Sequence, residues 1–125
     1  MTPFEQAGGE PIVRGIVDRF VDRAFDDMII GFLFAGKDRE RIKKHEYEHA
    51  ASVLGAEIAY TGQPIAPLHK ALKINAGQFR RRLALLRQEI QRGGLPAEIE
   101  ELWLASQRKM ERQITDGTDC APTSR

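Results

Sequence analysis

Four runs of this chain repeat apolar residues every three or four positions, and no run sustains the two-residue alternation of a half-buried strand. The first is Val13, Ile16, Val17, Phe20, Val21 and Ala24, predicting a helix over about 11–25. Gly8-Gly9 punctuates the chain before it, and Glu10-Pro11 suits a helical first turn, where the missing proline N–H costs nothing and an acid meets the dipole. The second run, over 39–54, follows Asp38 as N-cap and places Ile42, His45, Glu46, His49, Ala50, Val53 and Leu54 on one face. The third, over 79–91, aligns Phe79, Leu83, Leu86 and Ile90 and stops at Arg92-Gly93-Gly94. Leu95-Pro96 opens the last, with Ile99, Leu102, Trp103, Ala105, Met110 and Ile114. Between the first two runs, Asp26-Asp27 caps the apolar segment Met28–Phe34, expected to be a short helix or turn crossing the core. The expected class is all-α: a single domain over 1–115, then a polar tail over 116–125 expected to be disordered.

Composition narrows the function classes. The 125 residues are 42% apolar and 30% charged, enough to bury a core, and the net charge of +1 gives no bulk attraction to nucleic acid or an anionic membrane. Arg39, Glu40, Arg41, Lys43, Lys44 and Glu48 read as a solvated face, and Arg80-Arg81-Arg82 as exposed helix surface. The lone Cys120 has no internal disulfide partner, which favours a reducing compartment, and no apolar run approaches the roughly 20 residues of a membrane span. The expected location is the cytoplasm.

The candidate chemistry gathers in two places. His45-Glu46-Tyr47-Glu48-His49 has the H-E-x-x-H spacing, in which two imidazoles one turn apart reach one metal and the glutamate between them serves as general base. A zinc peptidase also needs a third ligand, for which His69 is one candidate, and a cleft that usually borders a strand. The competing reading makes His45 a pocket-edge residue and His49 a hydrogen-bonded core residue. The second place is Tyr60–Phe79, which begins as loop because Gly62, Pro64 and Pro67 punctuate it too closely for a helix interior. No nucleophilic triad or phosphate-binding glycine loop accompanies either place.

The order of these pieces resembles the truncated haemoglobin family, nearest its group I pattern. The resemblance runs through Gly8-Gly9, Val17-Asp18-Arg19-Phe20, Phe32-Leu33-Phe34 with Gly36 and Asp38, His45, Tyr60-Thr61-Gly62, Leu68-His69, Leu72-Lys73-Ile74 and Gly94-Leu95-Pro96. It covers about 4–114 and implies a two-on-two helical sandwich, with a haem slot between the helix over 39–54 and the Tyr60–Phe79 turn. By the same resemblance, Phe34 packs on the porphyrin, Phe79 follows the proximal ligand position, and His45 takes a position that ligates iron from the distal side in some relatives. Gln78 then stands where the proximal histidine is expected, Val21 replaces the distal tyrosine, and Ile42 is apolar. Glu46 and His49 are left as the distal polar groups.

Three functions follow from these residues. Haem is bound, with iron held by His45, His69 or His49, and handles a small diatomic ligand such as oxygen or nitric oxide. Alternatively, the slot is haem-free, holds another small apolar ligand or nothing, and serves as a sensory or interaction module. Least in weight, His45, Glu46 and His49 hold a bare divalent metal. The residues identify no redox or signalling partner.

Overall fold

A computed structural model describes residues 1–58, 61 and 74–114, with side chains to 111. Among them run five helices: α1 (Pro3–Gln6), α2 (Gly9–Asp26), α3 (Arg39–Val53), α4 (Ala76–Arg92) and α5 (Ala97–Ile114), with a 3-10 turn over Gly31–Phe34. The expected all-α class is what the chain adopts. No described helix is long and apolar enough to cross a membrane. The proposed disordered tail over 116–125 and most of the Tyr60–Phe79 stretch, including His69, lie outside the described residues.

Local chemistry sets each boundary. Thr2 and Glu5 close a capping box on α1, and the Phe4 N–H donates to the Leu54 carbonyl at 2.8 Å, tying α1 to the end of α3. Gly8 and Gly9, at φ of +109° and +74°, make the reversal into α2 that other residues enter only with strain. Asp38 caps α3 by accepting from the Glu40 and Arg41 N–H groups. The Pro96 carbonyl accepts from the Ile99 and Glu100 N–H groups, starting α5 where Pro cannot be a donor itself.

Helix α2 is the hub, touching α1, the 3-10 turn, α3 and α4, while α5 covers α4 and α3. The pairs α2–α3 and α4–α5 thus make two helical layers. Their shared core contains Val13, Ile16, Phe20, Val21, Tyr47, Ala51, Leu54, Leu85, Leu86, Ile90, Trp103 and Leu104. A smaller cluster forms around Ile74 and the fully buried Phe79, with Leu33 and Met110 against it.

Charged seams fasten the layers. Glu89 of α4 is wholly buried and accepts from Arg19 Nε at 3.1 Å and Arg23 Nη1 at 2.9 Å, both on α2, with Arg92 at 3.6 Å. Just beside that seam α4 ends at Gly93, where a Cβ would lie 2.7 Å from Ile16 Cδ1, so α2 and the α4 terminus meet at a distance only glycine permits. Asp27 caps the turn after α2 by accepting from the Ile29 and Ile30 N–H groups, and also holds Arg81 of α4. That guanidinium, first, and then the two backbone donors lower the Asp27 carboxyl to a pKa of about 2. On the other side of α2, Asp22 pairs with Lys43 at 2.9 Å and Arg39 at 3.2 Å.

Several expectations needed correction. The segment over 28–34 does not cross the core: Met28 is 99% exposed and Phe32 64%, and only Ile30 is buried. Asp27 is the reason, since capping a turn rather than a helix throws the flanking side chains outward. The core stripe of α3 is Tyr47, Ala50, Ala51 and Leu54, rotated from the expected face, with Ile42, His45, Glu46, His49 and Val53 half-buried at its flank. Glu48, expected in solvent, is buried and accepts from the Thr61 N–H and hydroxyl, the backbone donor chiefly lowering its pKa. In the arginine run only Arg80 is exposed.

Candidate functional site

The flank of α3 meets α4 and α5 through one buried cation. Arg82 is 8% exposed; its Nη2 donates to Glu46 of α3, its Nη1 to the Gln107 side-chain carbonyl of α5, and its guanidinium lies 5.0 Å from the Phe20 ring centre of α2. Four helices therefore converge on one side chain. A buried charge needs such partners, because desolvation without them costs several kcal/mol.

The helical register makes this a layer. Along α4, Phe79 of the small cluster is followed one turn later by Arg82, and one turn after that by Leu85 and Leu86 of the main core. Along α5, Met110, Gln107 and then Trp103 with Leu104 repeat the order in reverse. Arg82, Gln107 and Glu46 thus form a polar sheet between two apolar clusters. His49, one turn after Glu46, joins it electrostatically. Burial, first, lowers its pKa, Glu46 opposes the shift and Arg82 adds to it. Neutral imidazole is the form that ligates metals.

Not every expected site residue reaches this layer. Val21 is buried in the main core, Ile42 packs against that core, and His45 is half-buried on the same flank of α3. Phe34 stacks on Phe25, ring centres 4.8 Å apart. Gln78 is the third residue of α4: its N–H donates to the Asn75 side chain at 2.8 Å, and its Oε1 accepts from the Asn75 N–H at 3.0 Å. Its amide is committed to a capping box. Glu46, the expected base of a zinc site, is instead the counter-ion of Arg82. Among the described residues, no three His, Cys, Asp or Glu side chains come together to hold a metal ion. Phe20, Arg82 and Gln107 were not expected here, although Arg82 shares a helical stripe with Phe79 and Leu86.

Comparison with known proteins fixes the relationship. The bacterial-like globin family matches residues 2–116. A group 1 truncated hemoglobin of Mycolicibacterium paratuberculosis is 25% identical over 114 residues, 91% of this chain and 84% of that protein. The group 1 truncated hemoglobin of Nostoc commune is 26% identical over 78 residues, 62% of this chain and 66% of that protein. In structure, the truncated hemoglobin of Tetrahymena pyriformis in its Fe(III) form superposes with a TM-score of 0.84 at 17% identity, covering 92% of this chain and 98% of that one. The group II truncated hemoglobin of Bacillus anthracis gives 0.84 at 20% identity, covering 95% and 94%. These structural likenesses carry the fold, and the family match carries the kinship: the chain belongs to the bacterial-like globin family and is a truncated-haemoglobin-like protein.

Proposed function

We propose that this chain binds haem between α3 and the stretch that joins α3 to α4, and through it a small diatomic ligand such as oxygen or nitric oxide. Globins typically bind haem, so the family match supports the reading. The observation that carries it is the flank of α3, where His45 and His49 lie half-buried one turn apart on the fold of the truncated hemoglobins. This donor set fits the group: imidazoles suit iron, and Phe79, Ile74, Leu33 and Met110 offer the apolar surface a porphyrin face needs. When bound, haem supplies the iron that takes the diatomic ligand.

We propose that His69 would hold the iron. Gln78 is committed to the α4 cap, and an amide is a poor iron ligand beside an imidazole. His69 is the histidine in the sequence between α3 and α4. His45 is then the distal imidazole. Absorption spectra of the purified protein with one equivalent of haemin test the assignment. A sharp Soret band with low-spin visible bands is expected; His69→Ala loses the band or its iron affinity, and His45→Ala converts it to high spin. An unchanged spectrum in His69→Ala rejects the assignment, and no band in any protein rejects haem.

The haem-free reading has one observation in its favour: the Glu46–Arg82 pair places charge where a porphyrin would want apolar neighbours. Under it the globin frame serves as a sensory or interaction module, and the same titration leaves free-haemin absorption unchanged.

A further inference from the structure

Glu89 collects more cations than one carboxylate can neutralise. Its Oε1 meets Arg19 Nε at 3.1 Å, and its Oε2 meets Arg23 Nη1 at 2.9 Å and Arg92 Nη1 at 3.6 Å. The acid side chain is 0% exposed and the three arginines are 47%, 35% and 66% exposed, so the carboxylate is the floor under a cationic surface. Three guanidiniums less one carboxylate leave a local charge of +2. The other acids of α2 do not reduce it. Asp22 and Asp26 are drawn to Arg39, and Asp22 also to Lys43, while no ion pair joins Asp18 to the three arginines. The cluster is also held ready. Arg23 Nη2 donates to the Gln88 side chain at 2.8 Å, and Arg19 Nη1 rests 3.2 Å from where a Cβ would stand on Gly15, in room that the missing side chain leaves. A guanidinium carries five N–H donors; Glu89 and Gln88 take Arg19 Nε and one donor from each Arg23 Nη group. The rest have no hydrogen-bond acceptor among the described residues.

We infer that Arg19, Arg23 and Arg92 form a surface site for a small phosphate-bearing anion with at least two negative charges. Joining α2 to α4 takes one ion pair. Three cations gathered on one acid repel each other, and the excess is answered only from outside. Planar guanidinium forks pair with phosphate oxygens two at a time, which makes arginine the residue for that chemistry. A nucleic acid fits less well, because the chain as a whole has a net charge of only +1. Haem plays no part in this site, which lies on α2 and the C-terminal end of α4.

The experiment titrates the full chain with inorganic pyrophosphate at constant ionic strength, following the arginine Nε–Hε signals by NMR. Wild type is compared with Arg92→Gln, Arg19→Gln/Arg92→Gln and Arg39→Gln. Saturable shifts of the Arg19, Arg23 and Arg92 signals are expected in wild type. Affinity is expected to fall about 3- to 10-fold in Arg92→Gln and about 10- to 100-fold in the double variant, roughly one exposed charge-assisted hydrogen bond per step. Arg39→Gln removes a cation already answered by Asp22 and Asp26, and is expected to leave affinity within about twofold. Arg23 still holds Glu89 in every variant, and thermal unfolding by circular dichroism checks the fold; Arg92→Gln alone carries the test if the double variant folds poorly. No saturable shift by about 10 mM pyrophosphate, beyond the millimolar range of weak specific binding, overturns the inference. An equal fall in Arg39→Gln also overturns it, as the mark of general attraction to cations. Tighter binding of a short DNA duplex than of pyrophosphate overturns it in favour of a nucleic-acid surface.

Discussion

Helix α4 carries two inward charges two turns apart, Arg82 and Glu89, and they are satisfied in different ways. Glu89, fully buried, is met by three arginines whose side chains stay 35–66% exposed, so the acid is dry and its counter-ions are wet. Arg82 is met by one acid, one amide and one ring, all of them interior or nearly so. The first arrangement tolerates the loss of any one arginine because two remain. The second has no redundancy, and its partners come from three other helices. Glu89 thus holds α2 on α4, and Arg82 ties α4 to α2, α3 and α5.

Substitutions at both places sharpen that contrast. Glu89→Ala empties a wholly buried site and removes the acid three arginines share, and is expected to destabilise by about 3 kcal/mol in urea unfolding, whereas Arg23→Ala costs under about 1 kcal/mol. Equal losses for the two would erase the redundancy argument. Next in size is the layer itself. Arg82→Met leaves Glu46 without its cation and costs about 2 kcal/mol, and adding Glu46→Gln recovers more than half of it, a coupling that a double-mutant cycle reads directly. Additive losses would mean the two side chains are neighbours without being partners.

A smaller effect than at Glu89 or Arg82 is expected at Asp27, whose pair opens to solvent through Arg81. Asp27→Asn costs about 1 kcal/mol at neutral pH, after allowing for screening of a partner that is a third exposed. The folded carboxyl titrates at about 2, below the unfolded value of about 4, so its contribution is complete above about pH 4 and disappears as the pH falls toward 2. Acid unfolding followed by circular dichroism is expected to show a shallower slope in that window for the variant. An unchanged slope would assign the acid sensitivity to other carboxylates.

The helices were legible because their punctuation is chemical. Gly8-Gly9, Asp38, Gly93-Gly94 and Pro96 act at the ends they mark whatever the tertiary context. The faces were less legible. On α3 the buried stripe includes Ala50 and Ala51, whose small side chains carry little hydrophobic signal, while His45, Glu46 and His49 drew attention to the flank instead. Arg82 was hidden by its neighbours, since three consecutive arginines average to a surface although Arg81 finds Asp27 and Arg82 turns inward. The signal that finds it is register: positions 79, 82, 86 and 89 share a stripe, so two charges on it have to be answered from across the interface. Gln78 also has a local role that family order does not reveal. Asn75 three residues before it is the helix signature that explains it.

Gly93 carries a mechanical consequence. Its missing side chain sets how closely the end of α4 seats on Ile16, and Arg82 lies eleven residues back along the same rod, about 16 Å away at helical rise. A methyl group at 93 would be a wedge under one end of a lever. Either the Ile16 side chain would repack or the helix end would lift, and in the second case the change reaches along the rod toward Phe79 and Arg82. A turn at the end of α4 therefore bears on the packing at the far end of the same helix.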